Sequence, residues 1–168
     1  MKKNEERIIW IVEDDPFYAS WLGRKLNTSL GYKIRVFPDG ETMLAECGEW
    51  PDLMLLDFNL RSSENRMSGL DVLRRLRDFH PELPVVVVSG QKDIDTAVEL
   101  MRSGAWEYLI KDNESTADRI VDTVRDLIDL VHSEHQIRWL EKRRKRAKVQ
   151  IAATVAFIAA LVAAAFMW

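Results

Sequence analysis

The chain is poor in the residues that crosslink small scaffolds. Its single cysteine, Cys47, excludes an internal disulfide framework and a cysteine zinc site, and reads as a small core residue. Neither G-x-G-x-x-G nor G-x-x-x-x-G-K-[ST] occurs, so the phosphate-cradling loops of dinucleotide enzymes and nucleoside triphosphatases are missing. The start, MKKNEERIIW, has no long apolar region before its first acids, so a cleaved signal peptide is not expected. No glycine or proline lies beyond Gly104, and residues 151–168 carry no charge.

What is present fits one ordinary domain with an extension: 168 residues, 47% of them apolar. The net charge of −3 conceals a division. Residues 1–135 hold 17 Lys/Arg and 26 Asp/Glu, a net of −9. Residues 136–150 hold 7 and 1, a net of +6. An acidic body, a basic collar and an uncharged tail are three different physical environments.

Short apolar runs alternate with helical spacing along the acidic body. Asp52 to Asp57 is a strand whose four apolar residues, Leu53 to Leu56, suit burial on both faces of a parallel sheet. Arg7 to Val12 is a second buried strand, and Pro16 opens a helix along which Phe17, Trp21, Leu22 and Leu26 recur. Lys33 to Phe37 alternates as a strand near a sheet edge, and Glu41 to Cys47 is a short helix after Asp39–Gly40. A polar loop, Asn59 to Ser68, ends at Gly69, and Leu70, Leu73 and Leu76 mark a helix closed by His80–Pro81. Leu83 to Val88 is the most β-branched run and a central strand. Ile94 to Met101 is a helix stopped by Gly104, and Trp106 to Ile110 is the fifth strand. Five such alternations predict an α/β fold: a five-stranded parallel sheet, doubly wound, with helices on both faces.

In a parallel sheet the carboxyl ends of all strands open on one edge, where ligands bind. Strand one delivers Glu13 and Asp14, strand three Asp57, strand four Ser89 and strand five Lys111. Crowded carboxylates repel one another unless a cation sits among them, and hard oxygen ligands with open positions suit Mg²⁺. A carboxylate can also act as a nucleophile and form an aspartyl-phosphate. The metal would neutralise phosphoryl charge, Lys111 would pair with one phosphoryl oxygen, Ser89 would hydrogen-bond another, and Gly90 would leave room for the group to enter.

These pieces resemble the receiver domain of bacterial two-component response regulators (the CheY-like superfamily, a flavodoxin-like fold). The matching segments are IVEDD at 11–15, LLDFN at 55–59, VVSG at 87–90, DTAVELMRSGA at 95–105 and EYLIKD at 107–112. The resemblance implies that Asp57 is the phosphoacceptor and that Glu13 and Asp14 help bind Mg²⁺, with the backbone carbonyl of Asn59. It implies that Ser89 and Lys111 read the phosphoryl group. Tyr108 matches an aromatic switch that turns inward when the hydroxyl residue shifts toward the phosphate; the plain alternative is a half-buried strand tyrosine. Such a protein accepts phosphoryl groups from a histidine kinase or phosphotransfer protein and is not a turnover enzyme. A receiver fold used as a non-phosphorylated scaffold is the rival. The sequence departs from the family at Arg61 and Asp112, where prolines are common, and in a loop lengthened through SSEN. Asp15 reads as a helix cap rather than a metal ligand. His132 and His135 have no third ligand nearby and read as solvated helix residues.

The domain plan is a receiver over 1–131, a polar to basic helical linker over 132–148 and a transmembrane helix over 149–168. Ser115 to Asp118 looks like a helix start, and Ile120, Val124, Leu127 and Val131 form the stripe that packs on the sheet. Beyond it Glu134/Arg138 and Glu141/Lys145 are i, i+4 pairs of a solvated helix. The basic run KRRKRAK at 142–148 could grip nucleic acid or flank a membrane span on its cytoplasmic side. The run IAATVAFIAALVAAAFMW favours the second reading, since about 18–20 residues cover most of a ~30 Å hydrocarbon core. An oligomeric helical bundle is the alternative. The expectation is a chain anchored by its C-terminal helix at the cytoplasmic face of the inner membrane, without a DNA-binding domain or nucleic-acid partner. Ala152, Ala156, Ala160 and Ala164 fall on one face of the span and point to a parallel homodimer; the plain alternative is that alanine merely fills the span.

Overall fold

Strand and helix alternate along the chain in the computed structural model, which describes residues 7–46, 48–60, 67–112 and 114–165. In the last helix some side chains, and all those beyond residue 150, lie outside the description. The elements are β1 (Ile8–Val12), α1 (Pro16–Leu30), β2 (Lys33–Phe37), α2 (Gly40–Leu44), β3 (Leu53–Asp57), α3 (Gly69–Phe79), β4 (Val85–Ser89), α4 (Ile94–Arg102), β5 (Glu107–Ile110) and α5 (Glu114–Ala165). The strands form one parallel sheet in the order β2-β1-β3-β4-β5. The alternating strand β2 is an edge, as its pattern predicts. The β-branched strand β4 is interior, but the middle position belongs to β3. Cys47, Arg61 and the SSEN segment lie outside the described residues.

Every residue of β1, β3 and β4 is buried, because both sheet faces are covered. Trp10, Val12, Met54, Leu56, Val85 and Val87 point to one face, where Met43 of α2, Val72, Leu73 and Leu76 of α3 and Leu100 of α4 meet them. Ile9, Ile11, Leu53, Leu55, Val86 and Val88 point to the other, against Leu22 and Leu26 of α1 and the start of α5. Strand periodicity of two thus feeds two cores from the same residues.

Local chemistry sets where the helices begin and end. Asp15 accepts hydrogen bonds from the N–H groups of Phe17 and Tyr18, so it caps α1 as expected, with Pro16 in the first turn. Ser68 and Asp71 form a reciprocal capping box at α3. Gly104 stops α4 at φ 99°, and a Cβ there would lie 2.7 Å from Arg77 Nε. Arg77 fills that space and donates to the carbonyls of Gly104, His80 and Leu83, which ties the ends of α3 and α4 to the sheet.

Two expectations need correcting. Phe17 and Trp21 are exposed by 86% and 43%, so the core face of α1 is Ala19, Leu22, Gly23 and Leu26. On α5 the buried stripe is Ile120, Val121, Val124 and Ile128, while Leu127 packs only at its margin. The 3.6-residue period places 121 and 128 closer to the sheet than 127 and 131. The last helix runs unbroken through Ala165, but no helix among the described residues is long and apolar enough to cross a membrane. The membrane-spanning part of the expected fold is therefore not part of the described one; the side chains of 151–168, including the alanine stripe, fall outside it, as do those of Glu134, His135, Arg138 and Glu141.

The chain divides into two compact units, residues 1–128 and 129–168. In the second, Arg143 lies 4.8 Å over the Trp139 ring, and Ile137, Trp139 and Leu140 are exposed.

Gly69 is the glycine the fold depends on most directly. A Cβ there would sit 2.5 Å from the carbonyl oxygen of Asp57 and 2.8 Å from the Cα of Phe58. Both are backbone atoms, which cannot turn aside. Gly69→Ala is expected to lower stability in urea unfolding by about 1–3 kcal/mol; an unchanged midpoint would show that α3 moves away freely.

Candidate functional site

Three strands end in the same pocket. Glu13 follows β1 directly, and its N–H donates to the carbonyl of Phe37, continuing the sheet by one bond at 3.0 Å. Its side chain is 4% exposed, with Oε1 accepting from the Asp15 N–H at 3.3 Å. Asp57 ends β3 at 5% exposure, and its Oδ1 accepts from the Asn59 N–H at 3.0 Å. Lys111 follows β5, with its N–H donated to the Ser89 carbonyl at 2.7 Å. Its ammonium reaches across the sheet edge to Glu13 Oε2 at 2.5 Å and Asp57 Oδ2 at 3.1 Å.

The half-buried carboxylate of Asp14 completes the group. One oxygen from each of Glu13, Asp14 and Asp57 lies within 4.8 Å of the others. Burial pushes Glu13 up to about 7; the hydrogen bond from Lys111 opposes this, and the charge of Asp57 adds to it. All the donors are hard oxygens close enough to share one small cation, so the residues fit Mg²⁺.

The remaining expected residues stand around this group. Asp57 pairs in register with Val88, so Ser89 stands one step beyond it on the neighbouring strand. Ser89 is fully buried, and its Oγ accepts from the Gln91 N–H at 3.0 Å. Gly90 follows, but a Cβ there would meet nothing nearer than Asn59 Nδ2 at 3.8 Å, an ordinary contact. Tyr108 is not among the carboxylates. It is half-buried on β5, donates its hydroxyl to the Gln91 carbonyl at 2.8 Å, and borders a groove with Ile94, Val98 and Met101. At the departure Asp112, Thr116 donates to the carboxylate of Asp112 and, at 3.1 Å, to the carbonyl of Ile110, a bond between two side chains that holds Asp112 below the usual carboxylate range.

Tyr18 was not marked by its sequence. Lys111 Nζ lies 4.4 Å from the centre of its ring. Burial first, then the charges of Glu13 and Asp57, push its phenol up to about 12. The available signal was its place in the first turn of α1, directly after the acidic run, on the edge where the strands end.

The chain is similar to known proteins in sequence and in fold. Residues 9–125 match the response regulator receiver domain family. The chain is 33% identical over 135 residues to the nitrogen assimilation regulatory protein NtrX of Azorhizobium caulinodans, covering 80% of this chain and 29% of that protein. It is 38% identical over 119 residues to the luminescence regulatory protein LuxO of Vibrio campbellii, covering 70% and 25%. The crystal structure of the NtrX receiver domain from Brucella abortus superposes with a TM-score of 0.65 at 32% identity, covering 72% of this chain and 98% of that one. A CheY-like receiver domain protein from Methanospirillum hungatei superposes with a TM-score of 0.68 at 22% identity, a likeness of fold, covering 76% and 98%. The chain spans only 29% and 25% of the length of these NtrX and LuxO relatives.

The raised Glu13 makes a prediction for metal-free protein. The folded chain holds a proton on Glu13 more tightly than the unfolded chain does, so this contribution to stability is full below 4.5 and lost as pH rises to about 7. Thermal melts in EDTA should show wild type losing stability across that window relative to Glu13→Gln, whose amide does not titrate. Parallel pH profiles for the two proteins would remove Glu13 as the source.

Proposed function

The chain belongs to the response regulator receiver family, and we propose that it is a phosphoacceptor that takes a phosphoryl group on Asp57 from a histidine kinase or phosphotransfer protein. The observation that carries this reading is the Lys111 ammonium at 3.1 Å from a buried aspartate whose neighbours are two further carboxylates. Glu13, Asp14 and Asp57, with the Asn59 carbonyl, would hold Mg²⁺, which when bound supplies positive charge against the phosphoryl oxygens.

The chain's own groups do the rest. The Asp57 carboxylate attacks phosphorus, the bond to the donor imidazole breaks, and an acyl phosphate forms. The Asn59 N–H holds one Asp57 oxygen and fixes the plane of the nucleophile. Lys111 exchanges its Asp57 contact for a phosphoryl oxygen. Ser89 uses its lone pair on Gln91 and keeps its own hydrogen to donate. Gly90 adds no side chain at the entrance, and Tyr108 acts as the aromatic switch. The protein is a signalling phosphoacceptor with slow self-dephosphorylation, not a turnover enzyme.

We read residues 1–131 as the receiver, 132–148 as a linker and 149–168 as a membrane anchor, with the receiver at the cytoplasmic face of the cell membrane. The support is the uncharged run 151–168 directly after the basic run 142–148. In this reading the basic run meets lipid headgroups and not nucleic acid, and the alanine stripe pairs two chains as a homodimer.

Incubation with acetyl phosphate and Mg²⁺ should add one phosphate by intact mass, and Asp57→Asn should take up none while keeping its fold. A mutant phosphorylated to wild-type stoichiometry would move the acceptor elsewhere, and an inert wild type would leave the scaffold reading.

The tail makes a separate prediction. Deleting residues 149–168 should shift the chain from the membrane to the soluble fraction with phosphorylation intact. Leu at 156 and 160 should leave membrane fractionation unchanged and weaken self-association. Identical soluble fractionation of truncated and full-length chains would replace the anchor by the helical bundle.

A further inference from the structure

Lys111 has two partners of opposite sign and one of none. Beside the carboxylates of Glu13 and Asp57 stands the ring of Tyr18, 4.4 Å from Nζ to its centre. That is within the ~6 Å over which an ammonium is attracted to an aromatic face. The lysine side chain is 18% exposed, so the contact is largely screened from water, where such attraction is stronger.

The ring is itself held. The Tyr18 N–H donates to the capping Asp15 at 3.2 Å, its side chain packs at the margin of the core between the sheet and α1 and α5, and the Trp21 ring lies 5.5 Å away at 41°. A four-carbon lysine stem has many rotamers, and a fixed aromatic wall removes most of those that leave the pocket. Tyr18 is on α1 and Lys111 follows β5, so the contact joins elements that no strand ladder connects.

We propose that Tyr18 is a positioning residue for phosphoryl transfer: its ring face holds the Lys111 ammonium over Asp57 and lets it slide to the phosphoryl oxygen without entering water. An aromatic face suits that motion because its attraction is spread over the ring, whereas a hydrogen bond would have to break. The inference rests on the phosphoacceptor reading of the site.

The test uses the full chain, Mg²⁺ and acetyl phosphate, a donor that needs no protein docking. In the step measured, the bond between phosphorus and the acetyl oxygen breaks, acetate leaves, and the Asp57–phosphorus bond forms. Tyr18→Phe keeps the ring and should stay within about twofold of wild type, whereas Tyr18→Leu should be about five- to thirtyfold slower. Tyr18→Met is the second non-aromatic variant should Tyr18→Leu fail to fold. Adding Tyr18→Leu to Lys111→Ala should cost nothing further, because the ring acts through the lysine. In NMR spectra the Lys111 Hε protons should show an upfield ring-current shift in wild type and Tyr18→Phe that is lost in Tyr18→Leu. Equal rates for wild type and Tyr18→Leu, multiplying effects in the double mutant, or no ring-current shift in wild type would overturn the role of Tyr18. A wild-type chain that takes up no phosphate at all would overturn the phosphoacceptor reading, and this role with it.

Discussion

One ammonium ion stands between two buried carboxylates, and the functional edge of the protein is arranged around that contact. Lys111 Nζ touches both Glu13 and Asp57, side chains that would otherwise share a poorly solvated pocket with like charge. Burying a charge is costly unless it is paired and hydrogen-bonded. Glu13 and Asp57 share this one ammonium, and the Asp14 carboxylate stands beside them. Burial first, and then the charge of Asp57, raise the pKa of Glu13 against the hydrogen bond from Lys111. In the proposed function a divalent cation relieves that crowding, and its charge then offsets the negative charge of the incoming phosphoryl group.

The sheet supplies the rigidity this requires. Because all five strands are parallel, each delivers its last residue to the same edge, and none of the delivered groups depends on a long loop for its position. Two cores formed from alternate residues of the same strands hold the edge from both faces. Close backbone packing does the rest: α3 begins directly against the carbonyl of Asp57, with only a hydrogen on Gly69 between them. Asp57 is thus fixed by backbone, while Lys111 reaches it on a four-carbon stem.

Much of this was legible in the sequence, because strand patterns are local. Lys33 to Phe37 shows its edge position by alternation, and Leu53 to Leu56 its burial by continuity. The carboxylates and Lys111 were legible as the first polar residues after apolar runs. Helix faces were harder. Phe17 and Trp21 are apolar but exposed, because periodicity identifies a stripe only when its neighbours are polar, and α1 carries apolar residues on two sides. The choice of Val121 and Ile128 over Leu127 and Val131 depends on how α5 rolls against the sheet. Tyr18 and Gly69 were hidden for a different reason. Tyr18 meets Lys111 and Gly69 meets Asp57, residues elsewhere along the chain, and no local pattern encodes either contact.

The same distinction bears on how a phosphorylated Asp57 would be noticed elsewhere. Ser89 and Tyr108 point away from each other in sequence and chemistry, yet both bond the backbone of Gln91: Ser89 Oγ accepts its N–H, and Tyr108 donates to its carbonyl. In the proposed function the Ser89 hydroxyl shifts toward the phosphoryl group, and the Gln91 N–H that it accepts is drawn with it. The carbonyl of Gln91, one peptide further on, follows. Tyr108 loses its acceptor at the outer position, beside the groove of Ile94, Val98 and Met101. In the proposed function one residue of backbone therefore converts a charge event at the sheet edge into a change of shape on the α4 face.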